Sequence, residues 1–299
     1  MPNFLVIGAA KAGTTAIFHY LKEHPQIYMS PHKEPRFFAL MGEPLNFQGP
    51  GDLTRFKFVT DMEAYRELFE GVSTEIAIGE VSPWYLYRPK VAERIKQHLP
   101  NAKLIAILRD PVERAYSNFL HASQEGLEPL SDFSEAMLAE PERILNNWSP
   151  RWHYKQKGFY YVQLKRYFDQ FDHSQIKVYL YDDFKENPLA VLKDIFTFLG
   201  VDNTFVPDTS KKHNISKLSR NTTLDLLLRR PNRMKSILKP LLLPGFRKYI
   251  KANLNTLNEK EKPQLSPEVR SQFIQEYQED ILKLQELINR DLSKWLEIR

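Results

Sequence analysis

Short apolar runs alternate with amphipathic stretches through the first two hundred residues of the chain. Phe4–Ile7 and Lys103–Leu108 have the length and continuous apolar character of strands that are buried on both faces. Thr14–His24 and Pro111–Ala122 carry their apolar residues at helical spacing. This alternation predicts an α/β fold, a single domain over residues 1–299 whose central parallel sheet has helices on both faces.

The same pattern predicts further elements along the chain. The expected strands are Gln26–Ser30, Glu75–Gly79 and Gln175–Tyr181. The expected helical stretches are Thr60–Phe69 (with capping-box spacing from Thr60 to Glu63), Pro89–His98, Tyr154–Phe171, Pro188–Leu199 (ended by Gly200) and Pro267–Ile288. Residues Val201–Arg220 are expected to form a long loop.

A glycine-framed loop follows the first strand. Gly8 and Gly13 enclose it, and a helix begins at Thr14, so backbone N–H groups and the helix dipole converge on one point. This arrangement predicts a cradle for a phosphate, a P-loop-like turn. Thr14 stands where the ATP-binding P-loop has its lysine, and the loop's lysine is Lys11.

A second anion site is predicted at the end of the strand Lys103–Leu108. Arg109 follows that strand directly, at the edge where open α/β sheets bind ligands. Ser117 lies about two turns into the next helix, and an arginine with a hydroxyl suits a phosphate monoester. Two separated phosphate sites fit a nucleotide that is phosphorylated at both its 5′ and 3′ positions, and they do not fit ATP.

These segments resemble a known enzyme family. Lys11–Thr15 resembles the 5′-phosphosulfate loop of sulfotransferases that use 3′-phosphoadenosine 5′-phosphosulfate (PAPS), and Arg109–Ser117 is similar to their 3′-phosphate motif. Lys157–Tyr160, followed by Gln163-Leu164, is similar to their nucleotide-enclosing segment, and Asp291–Leu296 to their C-terminal run. The resemblance spans nearly the whole chain and is strongest to the bacterial and glycosaminoglycan-type branch.

The resemblance implies a donor site and a chemistry. The residues expected to bind the donor are Ala10, Lys11, Ala12, Gly13, Thr14, Thr15, Arg109, Ser117, Tyr160 and Arg220. Lys11 would neutralise charge on the bridging oxygen as 3′,5′-phosphoadenosine (PAP) leaves, which makes a metal ion unnecessary. In general, an aromatic residue at helical spacing such as Tyr160 belongs more often to a core than to an adenine-stacking site.

The general base is expected in the segment Ser30–Phe38. It resembles the Glu-x-His-Phe-Phe stretch of the family, in which the glutamate is catalytic in the glycosaminoglycan branch, so Glu34 is the candidate base. Arg36 replaces the family histidine and would bind charge or orient Glu34. His32 is a weaker candidate, and a plain surface carboxylate is the alternative reading of Glu34.

Charge and composition limit the acceptor and the location. The heparan branch has a lysine where this chain has Val81, which disfavours a polyanionic sugar acceptor. The net charge is +5, but segment 229–251 alone carries eight cations and no acid, interleaved with leucines. This segment is expected to be a solvated face, a lid, or a peripheral contact with a membrane or amphiphile. No nucleic acid is expected as a partner.

The chain has no cysteine, which excludes disulfides and thiolate zinc sites. It shows neither a basic, apolar leader nor an apolar span, so we expect a cytoplasmic enzyme acting on a hydroxyl of a small-molecule, lipid-like or carbohydrate acceptor. Two alternatives stay open. A P-loop kinase or nucleotide hydrolase would use Asp110 for magnesium but lacks a lysine at position 14, and a non-catalytic protein would bind nucleotide and use segment 229–251 for contacts.

Overall fold

Five parallel strands form the central sheet of the computed structural model, in the order β2-β3-β1-β4-β5. The model describes residues 1–51, 58–210 and 263–298, and the backbone of two short strands at 218–219 and 259–260. The sheet strands are β1 (Phe4–Gly8), β2 (Ile27–Met29), β3 (Ala77–Val81), β4 (Lys103–Leu108) and β5 (Ile176–Leu180). The short pair, β6 (Leu218–Ser219) and β7 (Glu259–Lys260), is antiparallel.

Helices connect the strands and cover the sheet. In the described residues they are α1 (Thr14–Glu23), α2 (Phe37–Leu40), α3 (Met62–Glu67), α4 (Trp84–Tyr87), α5 (Val91–His98), α6 (Pro111–Gln124), α7 (Phe133–Leu138), α8 (Glu140–Leu145), α9 (Tyr160–Phe168), α10 (Tyr181–Glu186), α11 (Pro188–Leu199) and α12 (Pro267–Ile288). The predicted α/β class with a parallel sheet is confirmed.

The centre of the sheet brings the predicted chemistry to one edge. β1 lies between β3 and β4, with Val6 paired to Val81 on one side and to Ile105 on the other. All residues of β1 are buried, which explains the uninterrupted apolar run of Phe4–Ile7. Because parallel strands end at the same edge, the segments that follow β1, β3 and β4 are neighbours in space.

The start of α6 is fixed from two sides. Asp110 caps the helix by accepting the backbone N–H groups of Val112 and Glu113, each at 3.0 Å, and Pro111 occupies the first turn. The second carboxylate oxygen of Asp110 accepts a hydrogen bond from the buried guanidinium of Arg270 on α12. The last long helix therefore holds the residue that follows Arg109.

Several predicted boundaries are wrong, and each has a physical reason. The third strand is Ala77–Val81 rather than Glu75–Gly79, because the buried Glu80 continues it. The helix predicted from Thr60 is capped by Asp61, whose side chain accepts the N–H of Ala64 at 2.9 Å. Helix α5 begins at Val91, two residues after the predicted start at Pro89. The predicted helical stretch Tyr154–Phe171 is instead a 3₁₀ turn at Gln156–Gly158 followed by α9.

The loop predicted at Val201–Arg220 contains one short strand, because Leu218–Ser219 pairs with Glu259–Lys260. The pattern missed the short helices α2, α4, α7, α8 and α10, whose four to six residues are too few for a periodic signal. Arg220 and segment 229–251 lie outside the described residues. Nothing in the fold tests the prediction of one domain over 1–299.

The packing of β1 against β3 generates a stability prediction. A Cβ atom on Gly79 would lie 2.2–2.5 Å from three ring atoms of Phe4, so Gly79→Ala should destabilise the fold by about 1–3 kcal/mol in urea unfolding. Gly71→Ala is the milder comparison, since its nearest contact is the hydroxyl oxygen at the end of the Tyr28 side chain, at 2.9 Å. Equal unfolding free energies for both variants would contradict this view of the β1–β3 contact.

Candidate functional site: two anion sites and an ionic cluster

The loop between β1 and α1 forms the first anion site. Gly13 is the N-cap of α1 with φ at 92°, and Lys11 also has a left-handed backbone, with φ at 69°. A Cβ atom on Gly13 would lie 3.2 Å from the ring of Tyr181, so glycine is required by both backbone and space. The N–H groups of Thr14 and Thr15 lie in the first turn, where an α-helix offers no internal acceptor. The loop and helix start that the sequence predicted are therefore present, and phosphate binding there stays a prediction.

Arg109 lies beside this loop. Its Nη1 donates to the carbonyl oxygen of Lys11 at 3.3 Å, and its Nη2 lies 3.1 Å from a carboxylate oxygen of Glu113. The guanidinium also lies over the ring of Tyr181, 4.9 Å from its centroid. The structure therefore brings together the two phosphate sites that the sequence predicted separately.

Tyr160 supports Arg109 from the core. Its side chain is fully buried, and its hydroxyl donates to the carbonyl oxygen of Arg109 at 2.9 Å. Tyr160 therefore fixes the backbone at Arg109, and a contact between Tyr160 and a nucleotide stays a prediction. Ser117 is buried on α6, with 3% exposure, two turns after Arg109. Ala10 and Ala12 lie in the turn of the first loop.

A cleft of about 410 Å³ opens at Arg109. Its walls combine three cations and aromatic rings with the carboxylates of Asp110, Glu113 and Asp182, and two of those carboxylates are paired with Arg270 and Arg109. Its lining includes Arg109, Tyr116, Tyr181, Lys185, Arg270 and Trp295. The C-terminal part of the chain thus contributes to the cleft, through α12 and the 3₁₀ turn Ser293–Trp295.

Lys11 lies in an environment that lowers its pKa. Burial and the nearby charge of Arg109 lower the pKa of Lys11 to about 8, while the charges of Glu125 and Glu34 raise it. The ammonium group therefore interacts electrostatically with both Arg109 and Glu34. It is still mainly charged at neutral pH.

The 34–38 loop, which runs from Glu34 into α2, carries the candidate base. Burial alone would raise the pKa of Glu34, but the charges of Arg36 and Lys33 lower it to about 2. The carboxylate lies 2.7 Å from Nη2 of Arg36 and 2.8 Å from Nζ of Lys33. It is ionised at all working pH values, and the paired cations make it a weaker base than a free glutamate.

Aromatic rings surround Arg36. Its guanidinium lies 4.6 Å from the centroid of Trp84 and 5.5 Å from that of Phe58, and Phe47 packs edge-on against Trp84. The ion pair with Glu34 and these rings together fix the direction of Arg36. These rings form an aromatic wall beside Glu34, because Arg36 contacts both.

The sequence reasoning missed His121. Burial and the charge of Lys11 lower the pKa of His121 to about 4, and Glu125, Arg151 and Glu34 also act on it. It is therefore neutral at pH 7 and lies in the same charged cluster as Lys11 and Glu34. The available signal was spacing, because Ser117 and His121 are four residues apart on α6 and share a helix face.

Two negative findings limit the chemistry of the described residues. Across 1–51, 58–210 and 263–298, no group of three or more His, Asp or Glu side chains is placed to hold a metal ion. In the same part of the chain, no helix combines the length and apolar character needed to cross a membrane.

A glycine-framed loop and an arginine at adjacent strand ends define an α/β protein with a P-loop-like fold. A model described as the sulfotransferase family matches residues 2–205, and the chain belongs to that family. A crystal structure of a sulfotransferase from Alicyclobacillus acidocaldarius superposes with a TM-score of 0.79 at 34% identity, covering 99% of both chains.

Curated relatives share a smaller part of their length. A membrane-associated sulfotransferase (kil1) of Dictyostelium discoideum is 37% identical over 153 residues, which cover 48% of this chain and 29% of that protein. A bifunctional heparan sulfate N-deacetylase/N-sulfotransferase of Mus musculus is 30% identical over 211 residues, covering 67% of this chain and 22% of that protein. The chain thus spans less than a third of the length of these relatives.

The lowered pKa of Lys11 predicts how activity depends on pH. As the pH rises through about 8, free Lys11 loses its proton and its charge, so kcat/KM should fall above that value. Lys11→Arg provides the control, because a guanidinium stays charged across this range. The pH profile of sulfate transfer should therefore lose its alkaline fall in Lys11→Arg. The same fall in both enzymes would assign it to another group.

Proposed function

We propose that the protein transfers a sulfuryl group from PAPS to a hydroxyl group of an acceptor. The observation that carries this proposal is the contact of Arg109 with the Lys11 carbonyl, which joins the two anion sites into one. Both ends of a doubly phosphorylated adenosine can then bind a single site. Family membership supports the sulfuryl chemistry.

The donor would lie with its 5′-phosphosulfate on the loop 10–15. There the N–H groups of Gly13, Thr14 and Thr15 would hold phosphate oxygens, assisted by the two hydroxyls. The 3′-phosphate would be bound by Arg109 and Ser117, with the adenosine directed into the adjoining cleft of about 410 Å³. A contribution of Arg220 to the 3′-phosphate stays part of this proposal.

In the transfer step, the acceptor oxygen attacks sulfur while the bond from sulfur to the bridging phosphate oxygen breaks. Lys11 places its ammonium group against that oxygen and stabilises the negative charge that develops as PAP leaves. Loop amides and Lys11 thereby do the work that magnesium does in P-loop kinases. The sulfuryl group itself stays anionic throughout, so positioning contributes much of the catalysis.

The acceptor proton has two candidate destinations. Glu34 is the proposed general base, oriented by Arg36 and Lys33, and an approaching acceptor that displaces either cation would raise its basicity. His121 is a second candidate, because it is neutral near pH 7 and lies in the same charged cluster. The aromatic wall at Trp84 favours a small-molecule, lipid-like or carbohydrate acceptor with an apolar face.

A cytoplasmic location, and a contact of segment 229–251 with a membrane or amphiphile, also stay proposals. The printed name of the Dictyostelium relative describes that protein as membrane-associated. Binding of the purified protein to anionic vesicles, with and without that segment's charges, would measure such a contact.

Donor recognition can be tested without knowing the acceptor. Calorimetry should show that wild-type protein prefers PAP to adenosine 5′-monophosphate. Arg109→Ala should weaken PAP binding by about 1.5–3 kcal/mol more than it weakens binding of the monophosphate, because only PAP loses a charged contact to a 3′-phosphate, whereas the lost contact with the Lys11 carbonyl affects both ligands. Ser117→Ala should show the same selectivity with a smaller loss. A wild-type preference for ATP over PAP would contradict the proposal and favour the kinase alternative.

Turnover tests the role of Lys11. With labelled PAPS and a panel of phenols, alcohols and neutral sugars, Lys11→Ala should lower kcat by about 10²–10³-fold, while PAP affinity changes only a few-fold. Equal losses in kcat and in PAP affinity would show that Lys11 contributes to nucleotide binding alone. PAP binding without transfer to any acceptor would favour the non-catalytic alternative, and EDTA-sensitive ATP turnover would favour a kinase.

A further inference from the structure

Glu80 is an ionisable residue inside the central sheet. It lies near the end of β3 with 0% exposure, and among the described residues its Oε2 has no partner with full hydrogen-bond geometry. A buried carboxyl group is destabilising unless other groups satisfy it. Such groups concentrate at functional sites, and Glu80 lies at the sheet edge that carries the site.

Three hydroxyl groups face this carboxyl. Tyr65 donates to its Oε1 at 3.2 Å. Burial raises the pKa of Glu80 to about 7, the hydroxyls of Tyr85, Ser82 and Tyr65 lower it, and the charge of Glu34 raises it further. The carboxyl group and Glu34 are therefore close enough to interact electrostatically.

Two of these hydroxyls also bind the 34–38 loop. The hydroxyl oxygen of Ser82 accepts the N–H of Arg36 at 3.0 Å, and that of Tyr85 accepts the N–H of Phe38 at 3.4 Å. A hydroxyl that accepts from the loop still has its own proton to donate. Both hydroxyls also lie close enough to the Glu80 carboxyl to lower its pKa, so each of them lies between the loop and Glu80.

The loop needs such support because its backbone is strained. Glu34 has φ at 60° and Arg36 has φ at 59°, and neither is glycine. Left-handed backbone at such residues persists only where surrounding contacts hold it. A further contact, from the N–H of Glu34 to the carbonyl of Val81 at 3.0 Å, also comes from the end of β3.

We propose that Glu80 is a positioning residue for the 34–38 loop, which it holds through the hydroxyls of Ser82 and Tyr85. It fixes the geometry of Glu34 and Arg36 without touching substrate. Its effect on turnover rests on the proposed function, whereas its effect on the loop does not.

Hydrogen–deuterium exchange of the peptide 33–39 tests the loop directly, with no acceptor or donor present. Glu80→Leu fills a similar volume without hydrogen bonding and should raise the exchange rate of this peptide about tenfold, while peptides far from β3 keep their wild-type rates. Glu80→Gln keeps an acceptor oxygen and should retain most of the protection. Tyr85→Phe, which leaves Glu80 in place, should raise exchange in the same peptide.

Tyr179→Phe is the matched control for a lost hydroxyl–carboxylate contact. Its hydroxyl donates to Asp194 at 2.7 Å, at the far strand β5, so the variant should leave the 33–39 peptide unchanged. Unchanged exchange in both Glu80→Leu and Tyr85→Phe would overturn the proposal. Loss of protection in Glu80→Gln equal to that in Glu80→Leu would also overturn it, since the retained oxygen would then be irrelevant.

Turnover adds a second readout on any acceptor that the labelled-donor panel identifies. Glu80→Leu should lower kcat at least tenfold with PAP affinity unchanged, and Glu80→Gln should recover most of kcat. A loss of PAP affinity equal to the loss of kcat would indicate a general structural defect instead. Should the panel find no transfer at all, the proposed function fails while the exchange experiment still decides the role of Glu80.

Discussion

The pairing of β1 with β4 is the constraint on which the site depends. Because these strands are parallel neighbours, the loop after one and the arginine after the other end at the same place, and Arg109 can reach the Lys11 carbonyl. Neither segment alone distinguishes this chain from other nucleotide-binding folds. Their juxtaposition places the glycine-framed loop and Arg109 side by side at one edge of the sheet, where open α/β sheets bind ligands. Gly13 then lets the ring of Tyr181 close against the loop from the side of β5.

Burial and charge act on the two sides of this site in opposite ways. At Lys11, burial and Arg109 oppose the charged form, whereas at Glu34 the neighbouring cations favour it strongly. A bound anion at the loop would restore the charge of Lys11, because opposite charges raise a lysine pKa. Binding of the donor would therefore favour the charged form of Lys11, the group that is proposed to stabilise the leaving PAP.

The sequence was informative where local signals and tertiary context agree. Lys103–Leu108 and Pro267–Ile288 have the predicted bounds, since a continuous apolar run and a proline start need no outside information. The predicted position of β3 was shifted because a polar residue such as Glu80 suggests the end of a strand. The hydroxyl groups that surround Glu80 inside the strand come together only in the fold. His121 was missed for a related reason: its spacing from Ser117 indicates a shared helix face, but its proximity to Lys11 depends on how α6 packs in the fold.

The contact of Arg270 with Asp110 connects residues that are 160 positions apart. The family match ends at residue 205, so a fragment cut at that boundary would retain the loop and Arg109 but lose Arg270 and Trp295, two walls of the cleft. Asp110 would then be left with a carboxylate oxygen that has lost its cation, directly beside Arg109. The segment that matches the family model is thus smaller than the unit that forms the cleft.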